Sequence, residues 1–277
     1  MRKIVDSNQL QSEQLRNFLV QSRKNFAVLT DYSAMEAYKG DTLFSIYKSM
    51  KILCDFPEQV IVLKNTRLIC RLNGKGSGLQ KRLIDDAQTK GFSTYVRHLT
   101  AAKAGNASLQ QQLLEHGKKA SAHLDRMIND AASILDAFGD IAKLYSKMER
   151  ATIRKGEPYS TEMIQKAVKN ICQIAAELFY QHPDKPAWPT CGDVKNTFIF
   201  RISLCMYLLA MEWAANGGTK DASVDRVRND MVDMNFVAYA TYFDGILTSD
   251  KKVIRLHREA RIWLSALFGC HLHGELT

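Results

Sequence analysis

Asp230 and Asp233, in Asn229-Asp230-Met231-Val232-Asp233, stand three residues apart and share one face of a helix. Beyond them Gly245-Ile246-Leu247-Thr248 reads as a short apolar, β-prone run stopped by Ser249-Asp250. The N-terminus repeats that design, since Lys3-Ile4-Val5 runs straight into Asp6-Ser7-Asn8. In Leu29-Thr30-Asp31-Tyr32-Ser33-Ala34-Met35-Glu36 a further carboxylate falls on the first turns of a helix that follows a strand. Open parallel sheets collect ligands outside the carboxyl ends of their strands. Asp6, Glu36, Asp233 and Asp250 are therefore the candidate ligands of a hard divalent cation, Mg²⁺ or Mn²⁺, with Asp230 as a further ligand or a group that positions water. Carboxylates crowded into a partly desolvated pit cannot all stay ionised without such a cation. His and Cys are missing from the set, which argues against zinc. The chemistry that follows is phosphodiester hydrolysis, with the ion activating water and offsetting transition-state charge. Asn8, Thr248 and Ser249 are placed to orient the carboxylates.

The elements that must position these acids are legible as an α/β pattern over residues 1–75. Ile4-Val5 is a strand, Ser12 caps a helix to Lys24, and Phe26-Ala27-Val28-Leu29 is a second strand. A helix from Ser33 to about Lys39 is interrupted at Gly40 and continues over Thr42 to Leu53; Val60-Ile61-Val62-Leu63 is a third strand. Strands separated by helices imply a parallel sheet. From Leu79 to about Met148 the chain is helical, with an apolar stripe through Leu124, Ile128, Ala131, Leu135, Phe138, Ala142, Tyr145 and Met148. Ser160 caps another helix that runs to about Tyr180 and ends at His182-Pro183. Phe198 to Ala215 has only ten uninterrupted apolar or small residues between Arg201 and Glu212, against the roughly 20 a membrane span needs. It reads as a buried core helix, and no membrane partner is expected.

The order of strand-terminal Asp6, helical Glu36, the Asp230/Asp233 helix and the closing Thr248-Ser249-Asp250 resembles the PIN domain, a metal-dependent nuclease fold. The resemblance covers roughly residues 1–75 and 195–260. It implies a three-layer Rossmann-like catalytic domain formed by 1–78 and 196–277, interrupted by an α-helical insertion over 79–195. It further implies an endoribonuclease that leaves 5′-phosphate and 3′-hydroxyl ends, working in the cytoplasm, in the manner of a toxin or defence effector. Two departures stand out: the insertion is long for the family, and Asp230 and Asp233 compete for one family position. DNA or flap-type substrates, and a PIN-derived scaffold without turnover, are the rival expectations. The insertion is expected to gate access, recognise structured RNA or dock a protein partner or inhibitor. The family's habit of pairing makes a homodimer a further expectation.

Composition fits a nucleic-acid partner without singling it out. The 277 residues carry a formal net charge of +9, with 46% hydrophobic and 24% charged residues, as in ordinary globular proteins. Lys251, Arg255, Arg258 and Arg261 recur at helical spacing after Asp250, and Lys64, Arg67, Arg71 and Lys75 flank the third strand. Such cations neutralise phosphates without reading sequence; a solvated helix face is the plain alternative. Asn73-Gly74-Lys75-Gly76-Ser77-Gly78 reads as a flexible basic loop and lacks the phosphate-loop spacing. Tyr32, Tyr239 and Tyr242 read as core or rim aromatics rather than base-stacking platforms. Asp31 and Asp244 read as turn or cap residues, and His257 as a surface residue. The six cysteines form no C-x-x-C pair, which with a short apolar N-terminus suits a reducing compartment.

Overall fold

The computed structural model describes residues 1–39, 42–218 and 223–269, and of 127–133 the backbone only. Gly40, Cys270, His271 and His273 thus lie outside the described residues, as do the side chains of Ile128 and Ala131 in the apolar stripe. Four strands, β1 (Arg2–Val5), β2 (Phe26–Leu29), β3 (Val60–Val62) and β4 (Ile246–Leu247), form one parallel sheet in the order β3-β2-β1-β4. Between β1 and β3 run α1 (Glu13–Gln21), α2 (Asp31–Tyr38) and α3 (Leu43–Asp55). After β3 come α4 (Thr66–Cys70), α5 (Leu79–Leu83), α6 (Asp86–Lys103), α7 (Ala107–Lys143), α8 (Lys147–Lys155) and α9 (Thr161–Gln181). Then α10 (Phe198–Ala215) and α11 (Val224–Ala240) lead into β4, and α12 (Lys251–Phe268) follows it.

Alternation along the strands makes this a sheet with two buried faces. Ile4, Val28 and Ile61 point into one core, shared with α7 and α9 to α12. Val5, Ala27, Leu29, Val60 and Leu247 point into the other, shared with α1, α3 and α6. Each such side chain, fully removed from water, stabilises the fold by roughly 1.5–3 kcal/mol. The result is a mostly helical α/β fold around a small parallel sheet.

The helix signals in the sequence act locally as expected. Ser12 caps α1 through Leu15 N at 3.2 Å, and Ser160 caps α9 through Met163 N at 3.2 Å. Residues 79–181 are carried almost wholly by helices α5 to α9, and α7 lies directly against α2, α10 and α11. Leu124, Phe138 and Tyr145 of its stripe are buried, with Tyr145 Oη bonded to Tyr207 Oη at 2.5 Å, but Met148 is exposed beyond the helix end. Almost all of α10 is buried, as its composition predicts for a core helix. The basic glycine loop differs from its reading as flexible. Asn196 Nδ2 donates to Gly74 O at 2.9 Å, and a Cβ at Gly74 would sit 2.1 Å from Asp193 O, so only glycine allows this approach.

One buried contact fixes α2 against the end of β1. Thr30 and Ser33 form a reciprocal cap, and Ser33 Oγ also donates to Val5 O at 2.9 Å. Replacing Ser33 by Ala strands the Val5 carbonyl, so Ser33→Ala is expected to lower stability by about 1–3 kcal/mol. A urea-unfolding midpoint equal to that of the wild type would refute this.

Candidate active site

Strand order reverses between β1 and β4, because β2 and β3 continue to one side and β4 to the other. The carboxyl ends of these two strands flank the topological switch point, where open α/β sheets bind ligands. Asp6 ends β1 and Asp250 follows β4. Both serve as caps: Asp6 accepts from Asn8 N, and Asp250 accepts from Lys252 N and Val253 N at the start of α12.

Asp6 is only 2% exposed and is held by neighbours the sequence placed beside it. Thr248 Oγ1 donates to Asp6 Oδ2 at 2.6 Å, and Asn8 Nδ2 donates to the same oxygen at 2.7 Å. Thr248 Oγ1 also accepts from Asp250 N at 3.0 Å, so one hydroxyl ties the two aspartates together. Ser249 N donates to Asn8 Oδ1 at 3.4 Å, which makes Ser249's contribution a backbone one. Burial raises the pKa of Asp6; the hydrogen bonds from Thr248, Asn8 and Ser7 oppose it, and the nearby charge of Asp250 adds to it.

Asp233 is the most perturbed acid of the group. Burial lifts its pKa to about 7; Lys252 pulls down, while Asp6, Asp230 and Asp250 push up. Four carboxylates thus feel one another around the strand ends. Asp230 is committed elsewhere: Trp213 Nε1 donates to its Oδ2 at 2.9 Å, and the Lys252 ammonium bonds its Oδ1. That ammonium also lies 3.8 Å from Asp233 Oδ2. The two aspartates thus differ in partners: Asp230 is bonded by both Trp213 and Lys252, whereas Asp233 has Lys252 only at 3.8 Å.

The remaining candidate residues have partners of their own or lie in the core. Glu36 lies one turn on from Ser33, on the α2 face that meets β1, but its carboxylate pairs with Lys39 at 3.7 Å. Asp31 accepts from Thr66 N at 2.7 Å and Thr66 Oγ1 at 2.9 Å, anchoring α4 rather than joining the acids. Asp244 accepts from Arg2 N at 2.7 Å, at the opposite end of the sheet. Tyr32, Tyr239 and Tyr242 are core residues, closed to any base. His257 is buried, not exposed as read, and burial drops its pKa to about 4.

The proposed phosphate cations divide into two groups. Lys251, Arg258 and Lys75 are exposed. Arg255 is paired with Glu212, and Arg71 lies 3.9 Å from Asp184, whose carboxylate Arg67 grips at 2.7 and 2.8 Å. Lys252 was passed over because it breaks the spacing of its basic neighbours. The signal was present, since Lys252 precedes buried Leu256 by four residues and must share its inward helix face.

No family model, no curated protein and no solved structure matches this chain. Among the described residues no group of three or more His, Cys, Asp or Glu is closed tightly enough to hold a metal ion as it stands. The donor chemistry does suit a hard cation: the acids are oxygen donors only, and their charge exceeds what Lys252 neutralises.

The perturbation of Asp233 has a pH signature. Its folded pKa of about 7 lies above the ordinary 3.8, so the native state takes up a proton as pH falls through 7 and the unfolded state does not until about 4. Keeping Asp233 ionised at pH 8 therefore costs stability, roughly 4 kcal/mol at most, and that cost falls by about 1.4 kcal/mol per pH unit below 7 until the unfolded state also protonates near pH 4. In chelator, the stability of Asp233→Asn relative to wild type is expected to be more favourable at pH 8 than at pH 5, by about 3 kcal/mol at most. Comparing denaturant midpoints of the two proteins removes the opposing contribution of His257. A constant difference across this range would contradict the assignment.

Proposed function

We propose that this chain is a PIN-like nuclease that hydrolyses RNA phosphodiesters with Mg²⁺ or Mn²⁺. The observation that carries this reading is the set of mutually coupled acids, Asp6, Asp233 and Asp250, at the ends of the two strands that flank the switch point. Asp6, Asp233 and Asp250 would hold the ion, which when bound activates water and offsets transition-state charge. Thr248 and Asn8 fix the Asp6 carboxylate, and Lys252 with Trp213 fixes Asp230. Lys251 and Arg258 stand on exposed positions of α12, just beyond Asp250, where a phosphate backbone can reach them. Glu36 enters this scheme only after release from Lys39.

One observation favours a second reading, a binding module without turnover. Lys252 supplies positive charge to Asp230 and Asp233 from within the chain, as a degenerate site would. Cleavage assays separate the two.

Single-stranded RNA and a matched DNA oligonucleotide are incubated with Mn²⁺ and wild type or Asp250→Asn. Asparagine retains the cap on α12, so the fold is preserved. Loss of RNA cleavage by about 10²-fold or more in the mutant, and in chelator, is the expected outcome. Full activity in the mutant would remove this site, and inactivity of both proteins on both substrates would favour the module. Lys251→Ala/Arg258→Ala is expected to weaken RNA binding and to lower the slope of log affinity against log salt by about one to two. An unchanged slope would move the binding surface off α12.

A further inference from the structure

A cleft lies at the carboxyl ends of the neighbouring strands and does not include the acids. The cleft between α2, α6 and α7 encloses about 930 Å³ at the carboxyl ends of β2 and β3. Its inner wall is aromatic: Phe92 and Tyr95 sit 5.4 Å apart, Tyr38 Oη donates to Tyr95 Oη at 2.8 Å, and Tyr38 meets His116 edge-on at 6.3 Å. Along α7, Gln112, His116, Lys119 and His123 line the cleft at helical spacing, and Arg126 extends the row one turn further. Lys119 and Arg126 are exposed at the rim. Asp31 is the acid in the lining, and its carboxylate is taken up by Thr66. The cleft therefore offers flat apolar surface inside and positive charge outside.

Gly91 shows that the space is maintained. It lies in the interior of α6 with no left-handed backbone angle, and a Cβ built there meets no atom within 4 Å. A glycine in a helix interior costs about 1 kcal/mol relative to alanine. Neither packing nor backbone geometry requires one here, and its missing side chain leaves the wall of the cleft open.

We propose that this cleft binds a nucleotide, with the base against Tyr38, Phe92 and Tyr95 and the phosphate at Lys119 and Arg126. Aromatic faces stack any base, and guanidinium and ammonium groups pair with phosphate. Asn65 Oδ1 is taken by Leu68 N and Gln88 Nε2 by Asp85, which leaves Asn65 Nδ2 as a donor, Gln88 Oε1 as an acceptor and the Gln112 amide as both for a base edge. A fatty acid matches the apolar wall and the cationic rim but leaves those amides unused. The inference stands on the cleft alone and does not require the acids to be catalytic.

Calorimetric titration of the full chain with AMP, GMP, CMP and UMP, in chelator to silence the acid site, tests it. Saturable binding of at least one of these is expected, weakened about tenfold or more by Lys119→Ala/Arg126→Ala and by the filling variant Gly91→Leu. The first variant changes only exposed side chains, so it stays informative if Gly91→Leu fails to fold. Competition with a tetranucleotide distinguishes the source: displacement at lower concentration assigns the cleft to a strand end, and failure to displace assigns it to the free nucleotide. Absence of saturable binding, binding unchanged in both variants, or tighter binding of dodecanoate than of any nucleotide overturns the proposal.

Discussion

The candidate site exists because two residues of β4 pair with two residues of β1. Ile4 aligns with Ile246 and Val5 with Leu247, and the ladder closes through Asp6 N to Leu247 O at 3.0 Å. The pairing joins segments about as far apart in the chain as the sequence allows. Closing so long a loop costs little more than closing one half its length, since the entropy grows only with the logarithm of length. The harder requirement is orientation. A strand this short cannot align itself, so buried α10 and α11 must deliver it in register. Gly245 makes the last adjustment, at a φ of +125° that side-chain-bearing residues rarely adopt. Once β4 is seated, Thr248 falls beside Asp6, and the two aspartates become one hydrogen-bonded unit.

Burial then sets the electrostatics. Asp6 keeps its charge tolerable through directed hydrogen bonds, whereas Asp230 does so through an ammonium and an indole N–H. Asp233 shares that ammonium at longer range and is left the most proton-hungry of the group. Lys252 therefore has a double character. It offsets part of the cluster's charge without any ion, and it competes for the charge an ion would take up. Transfer of the ammonium wholly to Asp230 would free Asp233, a short movement for a long, flexible side chain.

Much of this was legible in the sequence because it is local. The strands Phe26–Leu29 and Val60–Val62, the Ser12 and Ser160 caps and the placing of Asp6 and Asp250 at strand ends all follow from periodicity and capping chemistry within a few residues. What sequence pattern could not supply is the partner that lies far along the chain. Asp31 is fixed by Thr66, Asp230 by Trp213 and Lys252, and Arg255 by Glu212. Nothing in the spacing of an acid reveals which distant donor will claim it. The burial of His257 was nearer to reach, because it follows buried Leu256 and stands three residues before Ala260 on the inner side of α12.

Helix α2 touches both the end of β1 beside Asp6 and the wall of the cleft. Its Ser33 side meets the end of β1, while Asp31, Ala34, Met35 and Tyr38, at spacings of three and four, line the cleft. The helix is held at its start by its own Thr30–Ser33 cap, by Val5 O and, through Asp31, by Thr66 on α4. A ligand pressing on Tyr38 therefore acts on an element whose first turn is tied to the residue preceding Asp6. Glu36 lies on the same short helix, one turn from that anchor, and its partner Lys39 is the residue that ends it. A small rotation of α2 about its anchored end would move Glu36 relative to the aspartates without disturbing the β1–β4 ladder. Coupling between cleft and acids through this helix would run from Tyr38, held by Tyr95, back to the Ser33 anchor on Val5.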